Sequence, residues 1–394
     1  MLDSFYIAWR YACFNKGKTI VLIASITLTS FLPLSLQFLL DRSEEALLAR
    51  AASTPLIVGA KGSALDLVMN TLYFTDEIPE PISMTSVEGL SEADLAIPIP
   101  MYVRFRARAY PIVGTTLDYF DARNLRITRG RSLAILGECV LGAQVAADLG
   151  LGPGDHLVSS PENLFDIAGV YPLKMRVVGV LNRAFTADDR AVFVDLKTAW
   201  VIEGLGHGHE DLAKTEDASL VLERTEKTVT ANAKLEQFAE ITEANRDTFH
   251  FHGNLQRYPI TAVIAVPFDA KGGTILRGRY VSTEATEQIV KPGQVIEGLL
   301  ENIVRVKNMI DAVIVIVAAA TVLTMVLVFV LSIRLRRREL ETIFKLGSSR
   351  MTIVRLIGAE ILIIIAASAV ACGALLTLVR RFEEPLVRMI ILGQ

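Results

Sequence analysis

Three stretches of this chain run without a charged side chain for long enough to cross a bilayer, and they decide what it can fold into. Thr19 to Leu40 and Ala312 to Ile333 each hold 22 consecutive uncharged residues, and Ile361 to Val379 holds 19. At about 1.5 Å rise per residue, a helix of roughly 20 residues matches a hydrocarbon core of about 30 Å. Transmembrane helices are therefore predicted over 19–40, 307–333 and 353–379, the last with Glu360 inside it. A cleaved signal has an apolar region of about 7–15 residues that ends at small residues. The first run is longer and ends Phe38-Leu39-Leu40-Asp41, so it reads as a retained span, kinked or loosened at Pro33.

The chain's 40 Lys plus Arg against 43 Asp plus Glu give no basic surplus of the kind nucleic-acid binding uses. That balance is unevenly spread. Residues 41–306 hold 26 basic and 36 acidic side chains, leaving 14 basic and 7 acidic for the oily ends. Arg10, Lys16 and Lys18 precede the first span, and Arg334, Arg336, Arg337, Arg338, Lys345, Arg350 and Arg355 crowd the short loop between the second and third. Positive flanks stay in the cytoplasm. Residues 41–306 then form a large extracytoplasmic domain, and the tail 380–394 lies on the same side, with Arg380 and Arg381 against the rule and Glu383 and Glu384 offsetting them. Residues 1–18 mix aromatics with Arg10 and Lys16, the pattern of a cytoplasmic interfacial helix or of the start of a longer span. Cys139 is alone in the large region, so no disulfide can staple it and a packed core must hold it.

Within 41–306, Asp41–Ala52 reads as a helix continuing the first span. Runs rich in β-branched and aromatic residues predict strands at 56–58, 102–108, 176–180, 191–194, 219–222 and 261–266, while 141–149 and 230–242 have helical spacing. Glu287 to Asp311 reads as a returning helical stalk with Ile289, Ile296, Leu299, Leu300, Ile303 and Val306 as its stripe, broken near Pro292-Gly293. The fold class is α+β: transmembrane helices and helical stalks carrying a large α+β extracytoplasmic domain.

Enzymatic signatures are missing from the sequence. Lys16-Gly17-Lys18-Thr19 ends like a phosphate-binding loop, but Ala12 stands where that loop needs Gly, so any ATP and Mg belong to another chain and no cofactor is expected in this one. No Gly-x-Ser-x-Gly elbow occurs, and apolar neighbours make Cys139 a buried, inert thiol. His156, in Gly-Pro-Gly-Asp-His, reads as a turn residue. His207 and His209, and His250 and His252, are i,i+2 pairs, each on one face if the backbone is extended. Four such imidazoles could hold zinc if the pairs met, but a polar Gly-rich loop is the stronger reading of the first pair, and no metal is expected.

The most specific local pattern lies in the basic loop, from Arg334 to Arg350. Helical spacing puts Leu340, Ile343, Phe344 and Leu346 near one face, with Gly347 as a stop and Ser348 or Ser349 as the cap of the next helix. A short amphipathic helix between two spans is shaped to dock in a groove of a cytoplasmic partner.

Arg338-Glu339, Gly347 eight residues after that Glu, and Glu360 thirteen after the Gly resemble the signature of the MacB/FtsX-like permease family of ABC transporters. Gly114-Thr-Thr-Leu-Asp118-Tyr119-Phe120, Gly130-Arg131, Val140-Leu-Gly-Ala-Gln-Val-Ala, Leu151-Gly-Pro-Gly-Asp155, Val177-Val-Gly179 and Ala191–Ala199 resemble its outer domain in order and spacing. The resemblance implies a mechanotransmission subunit of the bacterial inner membrane, with its large domain in the periplasm, working as a homo- or heterodimer with a separate ATPase. It implies a periplasmic partner or ligand, and a role in efflux, lipoprotein or lipid handling, or cell-wall regulation. It assigns ATPase coupling to Arg338, Glu339, Phe344, Lys345, Leu346, Gly347, Ser348 and Arg350 in the 334–352 loop, with Glu360 holding the junction with the third span. The family has a fourth span; residues 382–392 are too short and charged to be one, which leaves a three-span variant, a shortened product or a span from another chain. A membrane-anchored periplasmic sensor or scaffold without ATPase coupling is the alternative.

Overall fold

A computed structural model of the chain describes residues 2–161, 172–207, 221–224, 229–231, 239–243, 245–281, 286–335, 337–345 and 349–382. They divide into two compact units, Leu47–Gly298 on one hand and Met1–Ala46 with Leu299–Gln394 on the other.

The first unit is α+β. Its mixed sheet has 11 strands among the described residues. From one edge the order is Ala239–Glu240, Leu173–Leu181, Glu138–Leu141, Val192–Asp195, Tyr110–Thr115, Ala96–Ala107, Ala262–Pro267, Leu56–Ala60 and Glu287–Val290, with Ile127–Gly130 and His156–Val158 also pairing to Leu173–Leu181. Val192, Phe193 and Val194 are buried in succession, as befits a central strand covered on both faces. Helices Ala64–Tyr73, Ala143–Leu149 and Leu196–Ile202 accompany the sheet. The first is opened by Ser63, whose hydroxyl accepts from the Asp66 amide, and closed by Phe74 in the left-handed region at φ 57°. The core of the unit joins Tyr102, Phe105, Cys139, Leu141, Val177 and Trp200.

The strands expected at 56–58, 102–108, 176–180, 191–194 and 261–266 all have observed counterparts, several of them longer. Residues 219 and 220 of the 219–222 expectation lie outside the described residues, and Val221–Arg224 is a strand. Three expectations are corrected. The helix expected over 230–242 is replaced at its described ends by strands, Val229–Ala231 and Ala239–Glu240, while residues 232–238 lie outside the described residues; Thr228, Val229 and Thr230 show the β-branched bias that favours the first strand. The returning stalk does not start at Glu287: Glu287–Val290 is a strand paired to Leu56–Ala60, and Pro292 opens the helix instead of breaking it, because a first-turn N–H has no intrahelical partner to lose. His156 opens a strand instead of sitting in a turn, paired to Arg176 across the ladder.

The second unit contains helices: Leu2–Phe14, then long helices Lys16–Ala52, Pro292–Leu335 and Arg350–Arg381, with the short Arg337–Lys345 between the last two. All three long helices contain a segment long and apolar enough to cross a membrane. Leu22, Ile364, Met325 and Val328 pack the three against one another, and the Thr29 and Thr321 hydroxyls meet at 3.2 Å. The Ser368 hydroxyl donates to the Ile23 carbonyl at 3.4 Å and to its own Ile364 carbonyl at 2.9 Å. Small hydroxyl residues at such crossings let backbones approach closely.

Candidate coupling site

The basic loop folds as the short helix Arg337–Lys345. Arg337 and Glu341, one turn apart, pair at 3.0 Å on its exposed side, and Arg338 and Lys345 are exposed as well. Glu339 and Phe344 belong to this helix by register; Leu346, Gly347 and Ser348 lie outside the described residues. Of the two serines expected as cap, Ser349 is the one that serves, its hydroxyl accepting from the Thr352 amide at 3.3 Å to open the third long helix at Arg350.

Glu360 sits two to three turns into that helix, nearly buried, where it accepts from Lys18 Nζ at 2.8 Å. Lys18 lies in the first turn of the first long helix and also stands 5.5 Å from the centre of the Tyr11 ring. Ala8 packs on Leu356 and Ala359, and the Thr19 hydroxyl donates to the Ala12 carbonyl, satisfying one of the last acceptors of the Leu2–Phe14 helix. The N-terminal helix, the first long helix and the third are thereby tied at one polar knot in an apolar setting. The Lys18 partnership links residues 342 positions apart in sequence.

A second junction, which sequence reasoning missed, lies where the first long helix ends in the α+β unit. Arg50 is buried with its guanidinium forked onto Asp188 at 2.6 and 2.9 Å; it also donates to the Tyr119 hydroxyl at 3.0 Å and to the Leu72 carbonyl. Tyr119 and Thr186 donate to Asp188 at 2.7 and 2.8 Å. Burial by itself pushes the Asp188 carboxyl up, but Arg50 and these two hydroxyls hold it down at about 2. Burial pushes the Tyr119 hydroxyl up as well, and it stays well above its ordinary value because the Asp188 charge adds to the burial and Arg50 offsets only part of it. Gly142 is required beside this knot, since a Cβ there would meet the Asp188 carbonyl oxygen at 2.3 Å. The sequence signal was an arginine closing the apolar face of Leu47, Leu48 and Ala51, a place where a surface helix has no use for charge.

The paired histidines come together in part. Strands Gly206–His207 and His250–Phe251 are antiparallel with His207 opposite His250, and the ring nitrogens of His207, His250 and His252 all lie within 4.8 Å of one another. His209 is outside the described residues.

Residues 66–244 match the model of the family described as the MacB-like periplasmic core domain. That stretch of the chain is similar to the periplasmic core domain of MacB-like permeases. Among solved structures the chain is similar to the periplasmic region of MacB from Actinobacillus actinomycetemcomitans, at 12% identity over 63% of this chain and 93% of that one, TM-score 0.35. It is also similar to the extracellular domain of the noncanonic ABC-type transporter YknZ from Gram-positive bacteria, at 12% identity over 60% and 98%, TM-score 0.32. A third is a domain of a permease-like protein from Porphyromonas gingivalis, at 11% identity over 60% and 86%, TM-score 0.27. No curated protein matches the chain. The MacB-like match takes in Tyr119, Asp188 and His207; Arg50, His250, His252 and Glu360 fall outside it.

Proposed function

We propose that this chain is the inner-membrane subunit of a mechanotransmission ABC assembly, in which a separate ATPase moves the short helix Arg337–Lys345 and the movement is delivered to the periplasmic domain. The observation that carries this reading is the amphipathic helix held between two membrane-length helices, followed by a capped third helix that is ion-paired to the first through Glu360 and Lys18. An apolar face with basic residues beside it is suited to a groove on a cytoplasmic partner. A displacement of the third helix pulls on Lys18, at the start of the helix whose other end carries Arg50, and Arg50 is fixed in the α+β unit by Asp188. Two permease chains per assembly, ATP and Mg held by the ATPase, and a periplasmic ligand or partner complete the proposal.

The test is co-purification of the full chain with its candidate ATPase, wild type beside Glu339→Lys with Gly347→Trp, followed by ATP turnover of the recovered complex. Capture by wild type and loss by an equally well inserted variant are expected. If wild type captures no ATPase, or the variant captures it equally, the loop serves topology alone and the sensor or scaffold reading leads.

A further inference from the structure

We infer that His207, His250 and His252 form a binding site for a divalent transition-metal ion, zinc by its geometry, with one coordination position left open. The inference is independent of ATPase coupling.

The two strands supply the arrangement. His207 and His250 are direct cross-strand neighbours, and His252 follows His250 by two, so all three side chains belong to one face. His252 Nε2 lies 3.1 Å from His250 Nε2 and 3.4 Å from His207 Nε2. A tetrahedral zinc with Zn–N bonds of about 2.0–2.1 Å needs ligand nitrogens about 3.3–3.4 Å apart. Two of the three nitrogen pairs stand near that spacing and the third lies within 4.8 Å, so the three imidazoles have the donor set of such a centre and close on it with a small ring movement.

The surrounding structure holds the ligands as a metal site requires. His250 Nδ1 lies 3.0 Å from the Thr248 carbonyl; donating there, it keeps its proton on Nδ1 and presents the Nε2 lone pair to an ion, the outer contact that fixes tautomer and ring orientation in histidine-ligated metals. On the opposite face, Phe251 packs edge-on to Trp200 and Tyr258. The Tyr258 hydroxyl bridges the Leu205 carbonyl at 3.2 Å and the His252 carbonyl at 2.9 Å, so one side chain ties both ligand-bearing segments. Gly206 lets the Phe251 ring close in, since a Cβ would lie 2.5 Å from it. His207 and His252 are exposed, which gives an ion access from solvent. Three imidazoles suit zinc or copper, and three protein ligands leave a fourth position for water or an external donor.

The experiment uses the full chain in detergent, free of any polyhistidine tag and stripped with a chelator, titrated with Zn2+ against a chromophoric competitor. One zinc per chain is expected. His207→Ala, His250→Ala and His252→Ala should each weaken binding at least about tenfold, a loss no smaller than outer-contact changes produce. His156→Ala should leave it unchanged. Co2+ loaded into the unmutated chain should show the intense visible bands of a tetrahedral centre, a readout independent of how the variants fold. No stoichiometric zinc on the wild-type chain, affinity unchanged in the triple alanine variant, or weak octahedral Co2+ bands would each overturn the assignment.

Discussion

Asp188→Ala is the perturbation with the best-defined energetic consequence. Asp188 and Arg50 have side-chain exposures of 2% and 6%, so solvent does little to screen them, and the guanidinium is forked onto the carboxylate with Tyr119 as a third member. Deleting the carboxylate leaves a desolvated cation, which in buried pairs costs about 3–5 kcal/mol. Replacing all three members with apolar groups, Arg50→Met, Tyr119→Phe and Asp188→Leu, removes the stranded charge along with its partner and should recover most of that loss. The chain has two tryptophans, Trp9 and Trp200, so a Trp9→Phe background makes Trp200 fluorescence a report on the α+β unit during guanidinium unfolding of the full chain in detergent. The pH dependence provides a second reading. The unfolded carboxyl titrates near 3.8 and the folded one near about 2, so the folded state binds the proton less readily. Its stabilising contribution, on the order of 2 kcal/mol, is therefore fully present at neutral pH and is lost as pH falls from about 4 to 2. Protonation costs less than deletion because the neutral acid still hydrogen-bonds. A loss below about 1 kcal/mol for Asp188→Ala, or an apolar triple variant no more stable than the single, would refute the account.

The Lys18–Glu360 pair should behave as a unit: Lys18→Glu or Glu360→Lys alone lowers the melting temperature of the full chain in detergent, and the exchange of both restores most of it. An exchange variant as unstable as either single would show that the two residues act separately. Cys139 is fully buried and burial pushes its thiol well up, so in a chain with Cys13 and Cys372 replaced by Ser it should resist maleimide until the α+β unit unfolds. Rapid labelling of the native chain at neutral pH would contradict that burial.

Features that depend on a run of one kind of residue could be read from the sequence. The three long apolar helices and strands such as Val192–Asp195 declare themselves by local composition, and the cap at Ser349 by the turn it precedes. What escaped depends on partners remote in the chain. Arg50 gains its meaning from Asp188, 138 residues away, and nothing in either neighbourhood points to the other. The i,i+2 spacing of His250 and His252 was visible, but the approach of His207 comes from strand pairing that only the fold supplies. Pro292 misled because proline breaks a helix interior and opens a first turn equally well, and the choice rested on Glu287–Val290 finding a sheet edge.

That sheet edge has a mechanical corollary. Leu56–Ala60 follows the first long helix and Glu287–Val290 precedes the second, and their antiparallel register sets Ile57 against Val290 and Ala60 against Glu287. Both ends that join the helices therefore lie at the same end of one strand pair. A force that draws those two ends apart loads the pair like a zip, one rung at a time from Ile57 and Val290, and meets little resistance. A force that pushes or pulls both ends in the same direction leaves the rungs unstressed and bears on the whole sheet. The strand pair is thus weak against separation of its two ends and strong against their common displacement.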